Sequence, residues 1–492
     1  MSVNPQDLGD KLHNLKLNED GTPTRKIIKT TKEVIDPVTK EKKLESSTEE
    51  VISHNRYANY AFAFDIDGVL LKGADVIPQA PEAMRMLNGE NEYNIRVPYI
   101  FVTNGSGLTE EVRCKNLSKM LETEVNPGQF IQGSTPMRSL VEKYDTVLVV
   151  GGVGEACRKV AEEYGFKNVV TPGDILKWNP NVSPFRKLTE EEYNASRTLD
   201  FSKIAIGAIL VFADSREWAS DQQIILELLM SKNGVMGTES KQFNEGPDIF
   251  FAHDDFVWST NYNLSRYGMG ALQVCISALY QAHTGKELNV TKFGKPNKET
   301  FNFANSILKS WRQDAYETHF CNDKDCEDED HAKNGKKEES ASDKKLREAE
   351  NNEDTVVAKA EETTNADGSK TEVFDLLPAA QTVYFVGDTP ESDIRFANTF
   401  DKTWYSILVK TGVYQDGTEP AYKPKKIVDN VLEAVKFAIH REHEKELELR
   451  EQARSAVASG SATPGTKGGS KTPVESLHPH ELQQLVMTQA HD

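Results

Sequence analysis

The sequence predicts an α/β protein built on a parallel sheet and interrupted by a long polar insertion. Three observations lead to this class: apolar strand-like segments alternate with helical ones, short polar motifs follow several of the strands, and two regions are poor in apolar residues. Alternating strands and helices are typical of βαβ units, whose strands run parallel. The 492 residues are enough for two or three domains.

Composition narrows the function classes. Hydrophobic residues make up 38% of the chain, a low share for a protein that is folded throughout. The formal net charge is −19, from 58 basic and 77 acidic side chains, and such a charge repels the phosphates of nucleic acids. We therefore expect no nucleic-acid partner, although a small anionic substrate in a locally positive site stays compatible with this charge.

Compartment signals are sparse. Five cysteines without a dense framework indicate a reducing compartment. No apolar run approaches the roughly 18 residues that a membrane-spanning helix needs. The N-terminus has early acidic residues and no apolar stretch, so it predicts neither a secretory signal nor a clear mitochondrial presequence. These features predict a cytoplasmic protein without a transmembrane segment.

The first elements follow a polar arm at 1–55, which we expect to be disordered because it lacks apolar periodicity. "YAFAFDI" predicts a strand, and "APEAMRMLNG" predicts a helix that ends at Gly89. "VPYIFVTN" predicts the next strand. "TEEVRCKNLSKML" predicts a second helix with Thr109 as its N-cap.

The same alternation continues along the chain. "DTVLVVGG" and "IAIGAILVFAD" predict strands, each followed by a helical segment, and "GALQVCISALYQAHTGK" predicts a further helix. Residues 313–375 are dominated by charged and small polar residues, so we expect a disordered acidic insertion. "TVYFVGDTPESDIRFANTF" and "SILVKTG" restore the strand pattern, and a helix with a disordered tail is expected over 441–492.

Carboxylates stand where two strands end. Asp65 and Asp67 follow the first strand, two residues apart, so their side chains are expected on one side, and Asp388 follows a late strand. Two carboxylates about 4 Å apart repel by roughly 4 kcal/mol at an effective dielectric constant near 20. A divalent cation removes this repulsion, and Mg²⁺ prefers carboxylate oxygens, water and phosphate oxygens. The alternative is that these acids only cap turns or helices.

Other polar residues follow strands in the same way. Thr103, Asn104 and Gly105 offer a hydroxyl group and backbone N–H groups that suit a phosphate. Lys295 supplies a positive charge, and Asp393 adds an acid in "GDTPESD". Ligands bind at the carboxyl ends of parallel strands, so these groups are expected to converge. An ordinary Asn-Gly turn, a surface lysine and an acidic turn are the alternatives.

The order of the four motifs "DIDGV", "VTN", "GKPN" and "GDTPESD" resembles the haloacid dehalogenase (HAD) superfamily of phosphohydrolases. The stretch between the second and third motifs resembles the large cap of subclass IIA. "STNYNLSRYGMGALQVCISALYQAHTGK" and "ILVKTGVY" are similar to the cat eye syndrome critical region branch. The resemblance implies a Rossmann-like doubly wound core with a large α/β cap of the C2 type.

The resemblance also implies roles for the motif residues. Asp65 is the expected nucleophile and Asp67 the general acid and base. Thr103 and Lys295 are expected to contact the transferring phosphoryl group. The residues expected at the metal are Asp65, Asp67 through its backbone carbonyl group, Asp388 and Asp393, the last either as a ligand or as an acid behind the ligands. The residues expected at the substrate are Asn104 and Gly105 of the second motif. Asn261 and Arg266 are candidate substrate residues in the cap, and ordinary polar loop residues are the alternative for these two.

The expected division of the chain follows from these motifs. The core is expected over 56–143, 268–312 and 376–440, and the cap over 144–267. The implied function is a Mg²⁺-dependent phosphatase for a small phosphomonoester, with a link to glycerophospholipid metabolism and to mitochondria as further implications of the resemblance. A scaffold or regulatory protein on a retained fold is the alternative. The oligomeric state stays open, with a homodimer through the cap as one option.

Overall fold

The structure is a computed structural model that describes residues 25–35, 42–52, 56–320, 360–364, 370–374, 379–458, 466–467 and 470–471. The strands are β1 (Arg25–Ile35), β2 (Lys42–Ile52), β3 (Arg56–Tyr57), β4 (Ala61–Phe64), β5 (Leu71–Lys72), β6 (Asp75–Val76), β7 (Ile95–Arg96), β8 (Tyr99–Val102), β9 (Phe130–Ile131), β10 (Thr146–Val150), β11 (Asn168–Val170), β12 (Ala208–Val211), β13 (Asp248–Phe251), β14 (Val257–Trp258), β15 (Arg266–Tyr267), β16 (Thr291–Lys292), β17 (Ala360–Thr364), β18 (Lys370–Phe374), β19 (Val383–Gly387), β20 (Trp404–Val409), β21 (Lys426–Val428), β22 (Thr466–Lys467) and β23 (Ser470–Lys471). The α-helices are α1 (Ala80–Leu87), α2 (Glu110–Leu121), α3 (Ala156–Tyr164), α4 (Pro172–Trp178), α5 (Glu190–Ala195), α6 (Trp218–Met230), α7 (Met269–Thr284), α8 (Lys298–Phe320), α9 (Arg395–Thr399) and α10 (Val431–Ala458).

A six-stranded parallel sheet has the order β21-β20-β19-β4-β8-β9. It lies in the part of the chain expected to be the catalytic core, and it is named the catalytic layer for that reason. The chain runs outward from β4 to β9 on one side and from β19 to β21 on the other. The direction of the strand order therefore reverses between β4 and β19. In doubly wound sheets a ligand site lies at the carboxyl ends of the strands where this order reverses. The predicted doubly wound α/β fold is confirmed.

Helix α8 packs on this sheet through an aromatic cluster. The ring centroids of Phe301 and Trp404 are 4.8 Å apart, and Trp404 also contacts Phe385 and Phe396 at 6.0 and 5.7 Å. Trp404 is fully buried. Because apolar residues recur every three or four positions along α8, the helix continues to Phe320, beyond residue 313 where the sequence predicted the insertion to begin.

We expect Trp404→Ala to lower the free energy of unfolding by about 3–5 kcal/mol, because it leaves a large cavity between α8 and the sheet. Urea denaturation followed by circular dichroism measures this loss. The matched control is Trp258→Ala, because Trp258 is 37% exposed and its removal should change stability by less than about 1 kcal/mol. Equal midpoints for the two variants would show that this cluster does not hold α8 to the sheet.

A second parallel sheet has the order β11-β10-β12-β13-β16 and its own apolar core. It occupies the stretch expected to form the cap, but it continues further along the chain. Thr291–Lys292 adds the last strand, and Leu272 and Ile276 of α7 lie in its core. This layer therefore extends past residue 267, where the sequence interpretation ended the cap. The apolar face of α7 explains the difference, since it is buried against this sheet.

A separate compact unit contains residues from both ends of the chain and 85–97. Within it β3 pairs in parallel with β7, and the side chain of Asn91 donates to the carbonyl groups of Met86 and Ile95 at 2.7 Å. The ring of Tyr93 stacks on His443 of α10, with centroids 4.0 Å apart. None of the described helices is both long enough and apolar enough to cross a bilayer.

Two predicted disordered regions are only partly described. β1 and β2 pair within the predicted arm, and β17 and β18 pair within the predicted insertion, so these segments differ from the expectation. The other residues of the arm, and those of the insertion after Phe320, lie outside the described residues. The C-terminal tail holds the end of α10 and the short β22–β23 pair, and its remaining residues also lie outside them.

Candidate active site

Three buried carboxylates meet where β4 and β19 end. Asp65 directly follows β4, and its backbone N–H donates to the carbonyl oxygen of Val386 on β19 at 2.9 Å. Asp388 directly follows β19. Asp65, Asp388 and Asp393 each offer an oxygen, and these oxygens all lie within 4.8 Å of one another. The convergence that the strand ends predicted is present for these three residues.

Lys295 lies between two of these acids. Its Nζ donates to Asp65 Oδ1 at 2.6 Å and to Asp393 Oδ1 at 2.7 Å, and its side chain is 2% exposed. The residue follows β16, so the second layer delivers it to the carboxylates of the first. Burial alone would lower the pKa of Lys295, but Asp393 and Asp65 raise it, so the ammonium group stays charged.

Asp393 holds the loop after β19 in shape. Its Oδ2 accepts hydrogen bonds from the backbone N–H groups of Asp388 and Thr389, both at 3.0 Å, while its Oδ1 accepts from Lys295. A Cβ at Gly387 would lie 2.2 Å from the Cβ of Asp393, so only glycine fits there. Since both oxygens of Asp393 have protein donors, the carboxylate orients the loop and the lysine.

Excess negative charge remains in this cluster. Three carboxylates face one buried ammonium group, and burial raises the pKa of Asp65 well above its usual range, although Lys295 opposes this. Burial and the nearby Asp393 raise the pKa of Asp388 to about 8. A divalent cation would relieve both effects, and clustered carboxylate oxygens are the donors that Mg²⁺ prefers. The residues present therefore fit a Mg²⁺ ion.

Two glycines leave room for the Asp388 carboxylate. A Cβ at Gly68 would lie 2.2 Å from Asp388 Oδ2, and one at Gly412 would lie 1.8 Å from the same atom. The backbone N–H of Val413 donates to Asp388 Oδ2 at 2.6 Å. The loop that follows β20 therefore also holds the Asp388 carboxylate, in addition to β4 and β19.

We expect Gly412→Ala to reduce Mg²⁺-dependent turnover by at least about tenfold, because the added Cβ displaces the Asp388 carboxylate. The measurement is the turnover of a phosphomonoester across a range of Mg²⁺ concentrations. Gly417→Ala is the matched control: it lies in the same connection at φ +85°, but its Cβ would meet nothing within 4 Å. A similar loss in both variants would show that an added Cβ in this connection lowers turnover without crowding Asp388, and would contradict the proposed cause.

Asp67 is not one of the three clustered carboxylates, although its negative charge contributes to the raised pKa of Asp65. Its Oδ2 lies 3.5 Å from Thr103 Oγ1 and 3.8 Å from Arg113 Nη2, and its side chain is 34% exposed. Because β4 ends at Phe64, strand alternation no longer places Asp67 on the side of Asp65. That the carboxylates of Asp65 and Asp67 lie on one side stays a prediction. A role for the backbone carbonyl group of Asp67 at the metal stays a prediction.

The motif after β8 is held by internal hydrogen bonds. Thr103 is buried, and its Oγ1 accepts from the backbone N–H of Gly105 at 3.0 Å. A Cβ at Gly105 would approach Asp67 Oδ2 to 2.8 Å, so glycine permits this close approach. The side chain of Asn104 bonds to Lys295 and to Asp255. Thr103 and Gly105 thus lie beside Asp67, as the motifs predicted, whereas the side chain of Asn104 is engaged inside the protein.

Asn261 and Arg266 lie on the hairpin formed by β14 and β15. Asn261 Nδ2 donates to Asp75 Oδ2 at 2.6 Å, and the guanidinium group of Arg266 lies 4.7 Å above the ring of Tyr262. Within the described part of the chain, neither side chain has a hydrogen bond or ion pair with the buried carboxylates. Their contact with a substrate stays a prediction.

Sequence reasoning missed Asp255, His253 and Arg113. Asp255 follows the buried strand β13, in "DIFFAHDD", which is the same pattern of apolar residues followed by acids that marked Asp65. That pattern could have found Asp255. Arg113 lies on α2, one turn after Thr109, and carries no comparable signal.

Comparisons with known proteins identify the family of this chain. The family model described as haloacid dehalogenase-like hydrolase matches residues 62–167, and one described as HAD-hydrolase-like matches residues 355–434. A solved p-nitrophenyl phosphatase from Archaeoglobus fulgidus is 13% identical, with 77% of this chain and 98% of that chain covered and a TM-score of 0.43.

Two curated relatives are more similar in sequence. A fusion protein of Schizosaccharomyces pombe, named as CMP-forming cardiolipin synthase and mitochondrial hydrolase, is 34% identical over 399 residues, which are 81% of this chain and 55% of that protein. This chain thus spans about half the length of the fusion. A mitochondrial hydrolase of Saccharomyces cerevisiae is 35% identical over 383 residues, which are 76% of this chain and 94% of that protein. The two family models match separate segments that each contain strands of the catalytic layer. Together with the similarity to the S. cerevisiae protein, these matches show that the chain belongs to the haloacid dehalogenase-like hydrolases.

Proposed function

We propose that this hydrolase is a Mg²⁺-dependent phosphatase that cleaves a small phosphomonoester through an aspartyl-phosphate on Asp65. The observation that carries the proposal is the position of Asp65, whose Oδ1 is held by Lys295 beside Asp388. No protein donor contacts Asp65 Oδ2 among the described residues, so this oxygen is available for attack. A carboxylate nucleophile splits a difficult phosphoryl transfer into two easier displacements.

The first step is attack by Asp65 on phosphorus. The new Asp65–phosphorus bond forms as the ester P–O bond breaks, and Asp67 donates a proton to the departing oxygen. In the second step a water molecule attacks phosphorus while Asp67 takes its proton, and the Asp65–phosphorus bond breaks to release inorganic phosphate. The partial exposure of Asp67 supports this shuttle, because its carboxylate must reach both the leaving oxygen and water.

The remaining residues of the site supply positive charge, donate a hydrogen bond to the phosphoryl group or orient the metal ligands. Lys295 and Arg113 supply positive charge near Asp65 and Asp67, and the hydroxyl group of Thr103 can donate to a phosphoryl oxygen. Asp65 and Asp388 would hold the Mg²⁺ ion, with Asp393 orienting the loop. When bound, the ion would neutralise the negative charge of the phosphoryl oxygens.

The second layer is proposed to act as the cap that selects the substrate. The glycerophospholipid link is supported by the S. pombe relative, in which a similar region is joined to a cardiolipin synthase. Phosphoesters of glycerol are therefore the first substrates to test. The names of both relatives support a mitochondrial location over the expected cytoplasmic one.

A panel of phosphomonoesters, assayed for phosphate release with Mg²⁺ and with a chelator, tests the proposed function. The panel should include p-nitrophenyl phosphate, glycerol phosphates and a phosphatidylglycerol phosphate in detergent. We expect Mg²⁺-dependent release from at least one compound. Saturable stabilisation by Mg²⁺ without any turnover across the panel would favour the scaffold alternative.

A further inference from the structure

A chain of hydrogen bonds joins the edge of the second sheet to the backbone of Lys295. Asn104 Oδ1 accepts from the backbone N–H of Lys295 at 2.7 Å, and Asn104 Nδ2 donates to its carbonyl oxygen at 3.1 Å. The same Nδ2 donates to Asp255 Oδ2 at 2.9 Å. Asn104 is buried, so these contacts use both donors of its amide group inside the protein.

Asp255 belongs to the second layer. It follows β13, and its Oδ2 lies 3.6 Å from Nδ1 of the buried His253, whose ring accepts the backbone N–H of Asp255 at 3.3 Å. Because Lys295 follows β16 of the same layer, Asn104 of the catalytic layer is held between two segments of the second one. Asn104 therefore connects two separate segments of the second layer, one containing Asp255 and the other containing Lys295.

An ionised carboxylate only accepts hydrogen bonds, so Asp255 fixes which way the Asn104 amide points. Nδ2 must face Asp255, and this orientation leaves Oδ1 to accept the N–H of Lys295. If the amide group were flipped, the NH₂ group of Asn104 would face the backbone N–H of Lys295, and both hydrogen bonds to Lys295 would be lost. Gly294 permits the close approach: its φ is +69°, and a Cβ there would lie 2.7 Å from Asn104 Oδ1.

We propose that Asp255 is a positioning residue for the phosphatase reaction, acting through Asn104 to hold the backbone of Lys295. The proposal rests on the proposed function, in which Lys295 neutralises Asp65 and the phosphoryl group. The lysine ammonium group sits on a flexible four-carbon stem, so its position between Asp65 and Asp393 depends on a fixed backbone. The layer proposed to select the substrate therefore also sets the position of the catalytic lysine.

A double-mutant cycle tests this coupling. Asp255→Ala, Asn104→Ala and the double variant are compared with the wild-type protein for kcat, KM and the affinity for inorganic phosphate. We expect Asp255→Ala to lower kcat about tenfold with a smaller change in KM. We expect the double variant to be no slower than Asn104→Ala, because Asp255 then has no partner through which to act.

Two further variants separate positioning from folding. Asp255→Asn keeps a carbonyl oxygen that can accept from Asn104, so we expect it to retain activity within about threefold of wild type. Asp248→Ala removes an acid at the other end of the same strand, where it contacts Tyr144, and should leave kcat unchanged. Circular dichroism confirms that each variant is folded.

The outcomes are distinct. If wild-type protein hydrolyses a phosphomonoester and folded Asp255→Ala keeps full kcat, or if the two losses multiply in the double variant, the positioning role is refuted while the function stands. Asp255→Asn as slow as Asp255→Ala would also refute it. If wild type shows no turnover, the proposed function fails, and the cycle is then measured as affinity for inorganic phosphate. Wild-type protein that neither turns over a phosphomonoester nor binds phosphate overturns both proposals.

Discussion

Asp65→Asn is expected to reduce phosphomonoester turnover by on the order of 10³-fold or more while the protein stays folded. An amide is a poor nucleophile, but it keeps the shape of the carboxyl group and an oxygen for Lys295. Burial raises the pKa of Asp65, which shows that its charge is costly at this position. Removing that charge should therefore leave the free energy of unfolding unchanged or higher when no metal is present.

Steady-state assays with Mg²⁺ and thermal melts without it measure the two parts of this prediction. The matched control is Asp200→Asn, an exposed acid whose hydrogen bonds are to its own loop. A folded Asp65→Asn protein that keeps most of the wild-type turnover would remove Asp65 from the reaction.

The second large effect is expected for Lys295→Met, which keeps the length of the side chain and removes its charge. It leaves Asp65 and Asp393 buried without their shared ammonium group, and breaking a buried ion pair costs about 3–5 kcal/mol. Turnover should fall by on the order of 10²- to 10³-fold, because one preorganised charge at the phosphoryl group is lost. Added Mg²⁺ should restore part of the stability, because the ion opposes the same repulsion, but not the turnover.

Urea denaturation with and without Mg²⁺, together with turnover, measures both effects. Lys292→Met is the matched control from β16. The Lys292 side chain is 35% exposed and its Nζ pairs with Asp254 at 3.3 Å, so we expect a loss of about 0–1 kcal/mol in the free energy of unfolding. Equal stability of the two variants would show that Lys295 does not stabilise the buried carboxylates Asp65 and Asp393.

Much of the fold followed from local patterns. Strand–helix alternation predicts a parallel sheet wherever it occurs, and polar residues after apolar strands must gather at one edge of that sheet. Asp65, Asp388 and Lys295 were found in this way. The reversal of strand order between β4 and β19 was not readable from composition or periodicity; it depends on which strands pair across more than three hundred residues.

The differences from expectation have physical causes as well. Asp67 lies beside Thr103 and outside the group of three carboxylates because β4 ends at Phe64, three residues before it, and strand ends are not marked in the sequence. Asn104 follows a strand like a ligand-binding residue, yet its amide is taken up by Lys295 and Asp255, which are distant in sequence. The second layer continues past residue 267 because α7 buries an apolar face that could have served either sheet.

Chemical trapping of the phosphorylated enzyme tests the proposed mechanism most directly. Wild-type protein is mixed with its best phosphomonoester and Mg²⁺, quenched in acid and reduced with borohydride, which converts an aspartyl-phosphate to homoserine. Tandem mass spectrometry then locates the modified residue. We predict homoserine at position 65, present only when substrate and Mg²⁺ were both added. Efficient phosphate release with an unmodified Asp65, or trapping at another residue, would contradict the proposed mechanism.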